Sequence, residues 1–237
     1  MRYLLLLGVL LSFSCKDVLT MPEYGEMKIR VTHTVNGLPL ETDTAQYTCA
    51  AGFTYAVSSL EYYISNVTFV SDEGRTFTDN GIYYINATDS RFCEFEIDSV
   101  PVGRYSQITL NIGIDSARNL TGFLPNTLQN VNMAWPEGMG GGYHFMKLEG
   151  HYNSTVVYGY AVHLGTNQTL VSCAIDTPTS FAYTNHSGVL TMDINQWFQD
   201  PYTYNFDTDG NYTMGNALLM NLISVNGRDV MTFSQNQ

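Results

Sequence analysis

Leu60-Glu61-Tyr62-Tyr63-Ile64-Ser65-Asn66-Val67-Thr68-Phe69-Val70 crowds aromatic and β-branched residues into one unbroken run. Such side chains lose rotamer freedom in a helix but pack well on a pleated sheet, so the run predicts a strand. Asp72-Glu73-Gly74 closes it with a turn. Upstream, Met27, Ile29, Val31 and Val35 alternate with Lys28, Arg30, Thr32 and Thr34, the two-residue period of a half-buried strand. Asn36-Gly37 follows, a strong hairpin signal. Downstream, Gly81–Ile85, Phe92–Ile97 and Tyr105–Ile114 continue the series, with Pro101-Val102-Gly103 as a turn. Tyr143–Glu149, Val156–Leu164, Leu170–Ile175 and Val189–Ile194 resume it after a break. Many short strands punctuated by turns predict an all-β fold, an antiparallel β-sandwich.

Two segments depart from this rhythm. Residues 115–142 are long and irregular, with Pro125, Met133-Ala134-Trp135-Pro136 and the glycine-rich Gly138-Met139-Gly140-Gly141-Gly142. A loop of this length inside a compact domain carries function or is disordered. Its glycines do not form a phosphate loop, because the Gly-Lys-Ser/Thr ending is missing. The tail also differs: Asn195-Gln196-Trp197-Phe198 reads as a helical turn and Ala217–Ile223 as a helix, together a short helical C-terminal extension.

The N-terminus predicts the compartment. Met1-Arg2-Tyr3, the apolar Leu4–Leu11 and the small residues before Cys15 have the layout of a secretory signal over residues 1–14. A cysteine at that point predicts cleavage before Cys15 and lipidation of its sulfur, with residues 15–25 as the tether. The reading is an outer-membrane-anchored lipoprotein of a bacterial envelope, facing periplasm or cell surface. Of the 237 residues 14% are charged, against about a quarter in ordinary globular chains, and 17 are tyrosine. The formal net charge of −12 disfavours nucleic acid as a partner, since phosphates would be repelled. Cys49, Cys93 and Cys173 remain in an oxidising compartment, which predicts one disulfide and one leftover thiol, Cys49–Cys93 being the preferred pair.

Imidazole is a common ligand for copper and zinc, so the histidines carry most of the possible chemistry. His33 points with Ile29 and Val31, the placement of a satisfied core histidine. His144 falls on the face of Met146 and Leu148, while Glu149 and His151 share the other face. His163 lies on the side of Gly159 and Ala161, where small neighbours leave room for a metal or for a buried, hydrogen-bonded ring. His151 and His186 stand in polar surroundings. No Gly-x-Ser-x-Gly elbow or His-Glu-x-x-His motif appears, so nothing here points to an enzyme.

An ordered set of segments resembles the MbnP-like copper-binding domain family, in its Bacteroidetes-type branch. The set comprises Ile29-Arg30-Val31-Thr32-His33, Gly37-Leu38-Pro39-Leu40, Tyr62-Tyr63-Ile64-Ser65-Asn66, Val100–Tyr105, Ile112–Ser116, Met133-Ala134-Trp135, Gly142–Gly150 and His163-Leu164-Gly165. The resemblance implies an exported sandwich over residues 26–186, with 187–237 an extension packed on the same domain. It implies copper held by His163 near Trp135, a tryptophan that some members oxidise to kynurenine, with neighbouring methionines favouring Cu(I). Asn119 and Asn130 stand where a loop histidine might be sought, so His33 or His144 is to supply the second imidazole. The alternative reading is a cell-surface module that binds protein or glycan through aromatic faces, without metal.

Overall fold

The computed structural model describes residues 23–43, 47–181 and 185–235. The signal sequence, Cys15 and most of the tether lie outside those residues. Alternation along the chain produces two facing sheets. β1 (Tyr24–Val35) buries Met27, Ile29, Val31 and Val35 and turns at Asn36-Gly37 into β2 (Leu38–Pro39). Asn36 and Gly37 have φ of 52° and 78°, the left-handed pair that a tight two-residue hairpin needs.

The aromatic run lies within β4 (Thr54–Ser71), an 18-residue strand at the centre of the second sheet. Short segments β3 (Tyr47–Thr48), β5 (Thr76–Thr78) and β6 (Ile82–Asn86) pair along it. The chain then crosses to the first sheet as β7 (Glu94–Pro101), antiparallel to β1, and returns as β8 (Gly103–Ile112) beside β4. After the irregular segment, which contains the short helix α1 (Leu128–Asn132), come β9 (Met146–Asn153), β10 (Val157–Leu164) and β11 (Val171–Phe181). They complete the order β10-β9-β4-β8-β11.

The tail carries the strand, helical turn and helix read from its sequence and adds one strand more. β12 (Asn185–Asp193) pairs with β1, α2 (Ala217–Asn226) packs beside a 3-10 turn at Ile194–Phe198, and β13 (Met231–Gln235) pairs with β12. The β1–β12 pair is parallel, a departure from the purely antiparallel expectation. Its cause is connectivity: β12 arrives after a long excursion through the other sheet, as parallel neighbours require. Leu60, Tyr62, Leu148 and Val162 of the second sheet face the apolar side of β1 and β12, and the core closes on Trp197, Phe198 and Phe206. Among the described residues no helix is long and apolar enough to cross a membrane.

Among the described residues the predicted disulfide is absent: Cys49, Cys93 and Cys173 are all free thiols. Each has hydrogen-bond partners of its own. Cys93 donates to the carbonyls of Asn86 (3.2 Å) and Asp89 (3.7 Å), whereas Cys173, on β11, donates to that of Gly227 (3.3 Å). Cys49 lies buried in the turn before β4, where its carbonyl accepts from Gly52.

Candidate metal centre

Strand alternation places a polar cluster on the outer face of the second sheet. On β4, Tyr62 points into the sandwich, so Glu61 and Tyr63 point outward. Lys147 lies opposite both Glu61 and His163, and Glu149 lies opposite Ala161. Residues directly opposite in an antiparallel pair share a face. Glu61, Lys147, Glu149 and His163 therefore emerge together on the side away from the core.

The irregular segment between β8 and β9 folds over this face, held by its polar residues. The Tyr63 hydroxyl donates to Asn130 Oδ1 (2.8 Å), and Asn132 Nδ2 donates to Glu61 Oε2 (2.8 Å). Asn119 Oδ1 accepts from the backbone N–H of Tyr143 (2.9 Å). Arg118 is paired with Asp115 and also reaches Asn66 and Asn80. Gly142 has φ of +84°, and a Cβ there would fall 2.4 Å from Asn119 Oδ1, so the backbone passes only as glycine. Asn119 and Asn130, considered from sequence as stand-ins for a histidine, are structural clamps of the loop.

The clamped loop delivers His144 and Trp135 to His163. The ring centroids of His144 and His163 lie 5.1 Å apart at 86°, and those of Trp135 and His144 lie 4.7 Å apart. Trp135 is 2% exposed; its Nε1–H donates to the Met139 carbonyl (3.2 Å), and its six-membered ring lies against Gly165. His144 does not share the face of Met146 and Leu148, contrary to the sequence reading. β9 begins only at Met146; before it, Tyr143 bridges to Ala134, which releases residue 144 from the strand alternation.

Each imidazole has one nitrogen held and one left bare. The His144 Nδ1–H donates to the Met133 carbonyl (3.2 Å), since a carbonyl only accepts, and in the neutral ring this leaves the lone pair on Nε2. The His163 Nε2 lies 2.7 Å from Glu149 Oε1. Its Nδ1 is fully buried and has no hydrogen-bond partner among the described residues. A buried polar atom without a partner costs free energy and calls for an explanation such as an ion. The Thr213 hydroxyl accepts from the His163 backbone N–H and donates to its carbonyl, both at 2.7 Å, pinning that residue at the strand edge.

Electrostatics keep the pair suited to a cation. Burial, with the neighbouring His163 ring, lowers the His144 pKa to about 4, so its ring is neutral at ordinary pH. The hydrogen bond from His163 holds the Glu149 carboxyl below its ordinary value. Lys147 lies 3.6 Å from Glu61 in a pair with both side chains at most 15% exposed.

His33 is separated from this cluster. It projects from β1 into the sandwich, where its Nε2 meets the Tyr62 hydroxyl at 2.9 Å, and burial lowers its pKa to about 4. Tyr62 and His163 lie on opposite faces of the second sheet, so the sheet stands between His33 and the other two histidines. Met146 likewise points to the core side, in register with Tyr62.

A family model named MbnP matches residues 24–215. The chain belongs to the MbnP family. The match includes Trp135, His144 and His163, and it extends through β12 beyond residue 186. A solved structure of MbnP from Methylosinus trichosporium aligns with a TM-score of 0.58 at 10% identity, covering 91% of this chain and 100% of that one. At such low identity the likeness is one of fold, and the MbnP sandwich is what the two chains share. No curated protein matches the sequence.

Glu149 and Thr213 escaped the sequence reading. Glu149 was placed on the face of His151, and only the β9–β10 register brings it to His163. Thr213 comes from a distant loop, and nothing in its local sequence marks it.

Proposed function

We propose that this protein is a non-catalytic, exported copper-binding protein that holds Cu(I) between His144 Nε2 and His163 Nδ1, beside Trp135. The observation that carries the reading is the buried, unpartnered Nδ1 of His163 in a ring whose centroid lies 5.1 Å from that of His144. Membership in the MbnP family supports it. Imidazole suits copper and zinc alike, but structural zinc takes four ligands, so a pair of imidazoles favours Cu(I). Among the described residues the one group of three or more close metal-ligating side chains is the exposed Glu26, Glu96 and Asp98, remote in kind from an imidazole pair. Copper would supply the redox-active soft cation. The chain's own part is to keep the His144 ring neutral, to hold one nitrogen of each imidazole in a hydrogen bond, and to shield the pair with Trp135 and the loop. Attachment to a membrane through Cys15 belongs to the same proposal and rests on the leader sequence.

The test is titration of the purified protein with Cu(I) against a chromophoric chelator. One equivalent should bind, and His144→Ala and His163→Ala should each abolish tight uptake while the far-ultraviolet spectrum stays folded. His33→Gln should bind as the parent does. Undiminished affinity in His163→Ala removes the assignment. A metal-free interaction module is the second reading, favoured by the exposed Leu128 (81%) and Val131 (58%) on α1. Absence of stoichiometric copper in the parent protein would turn the choice to it.

A further inference from the structure

We infer that Glu149 is a positioning residue, which fixes the ring orientation and tautomer of His163 so that Nδ1, rather than Nε2, is the nitrogen offered to the metal. The inference rests on the copper reading for its purpose, but its geometry is independent of copper. Register puts Glu149 opposite Ala161, two residues from His163 on β10 and on the same outer face. At that diagonal spacing long side chains meet, and Glu149 Oε1 reaches His163 Nε2 at 2.7 Å. A carboxylate accepts and does not donate, so the shared proton resides on Nε2; in the neutral ring, the form that ligates a metal, this leaves the lone pair on Nδ1. Turning the ring over about Cβ–Cγ would put Cε1 where Nε2 now stands and leave Glu149 Oε1 without its donor.

The rest of the cluster leaves this task to Glu149 alone. Lys147, directly opposite His163, is turned to Glu61 and Asn132, at 3.6 and 3.5 Å. Thr213 holds the His163 backbone and not its ring. Carboxylates that accept the second N–H of a metal-bound histidine fix its tautomer and strengthen it as a donor, and losing one costs about 10- to 100-fold in metal affinity. Glu149 sits at the rim, 39% exposed against 13% for the His163 side chain, so it can be truncated without opening the core.

The experiment pairs nitrogen NMR of the histidine rings in the metal-free protein with Cu(I) competition. In the parent, His163 should show a protonated Nε2 and a bare Nδ1 in one ring orientation. Glu149→Ala should lose that single state and about 10- to 100-fold in Cu(I) affinity. Glu149→Gln, whose amide oxygen still accepts, should restore both to near the parent. A proton found on Nδ1 in the unmutated protein overturns the inference, whether or not any variant folds. So does a Glu149→Ala protein with parental ring signals and affinity within about twofold of the parent, well short of the loss stated. If the ring signals behave as stated but no form binds copper, the positioning role stands and the copper reading falls.

Discussion

Gly165→Ala tests the packing on which the candidate centre depends, without altering any candidate ligand. A Cβ at position 165 would lie 2.1 Å from Trp135 Cε3 and 2.4 Å from Cζ3, far inside van der Waals contact. The indole cannot simply slide. Its N–H is bonded to the Met139 carbonyl at 3.2 Å, and the His144 ring lies with its centroid 4.7 Å away. Overpacking of this kind costs about 1–3 kcal/mol, and losing the indole hydrogen bond adds about 1 kcal/mol. The sum, about 2–4 kcal/mol, corresponds in a chain of this size to a Tm lowered by roughly 5–15 °C. Urea unfolding and thermal melts measure the loss, and tryptophan emission reports its origin. Trp197, the other of the two tryptophans, is 0% exposed in the core, so a red shift that persists in folded protein belongs to Trp135. Cu(I) affinity should fall alongside. Parental stability with parental emission would refute the stacking of Trp135 on Gly165, and with it the ordering of His144 against His163.

Acid should weaken the fold through His33. Its folded pKa of about 4 lies below the ordinary 6.5, so the unfolded chain takes up a proton below about 6.5 that the folded chain refuses until about 4. Stability is full above that window and declines as pH falls through it, by about 3 kcal/mol for this residue. His33→Gln should make the dependence of the urea midpoint between pH 7 and 4.5 shallower, with His144, also lowered to about 4, keeping the rest of the slope, and an equally steep profile would count against the buried ring. The thiols offer a separate check. Burial raises the pKa of Cys49 and Cys93 and takes that of Cys173 to about 12, so all three should resist Ellman's reagent in folded protein and react on unfolding. An unreactive pair after denaturation would reveal a disulfide.

Local pattern carried much of the fold. The run at 60–70 became the later part of β4, Asn36-Gly37 became the hairpin turn, and Ala217–Ile223 became the first part of α2. Pieces that lack a pattern of their own were not legible. β3 and β5 have two and three residues, too few to show a period, and they exist because β4 offers them an edge. β13 follows directly on a helical tail and pairs with β12 across many intervening residues.

The centre divides in the same way. Which histidines and which tryptophan deserved attention was readable, because an imidazole beside small residues and an indole in a glycine-rich loop stand out chemically. His33 could be set among apolar neighbours from the two-residue period of β1. Which rings meet was another matter. His144 reaches His163 only because the chain leaves strand geometry at Tyr143, and Glu149 reaches it only through the β9–β10 register. Side-chain direction along one strand is a local property, fixed by backbone pleating. Proximity between strands is set by register and by how a loop folds back, and both are settled by the packing of the whole domain.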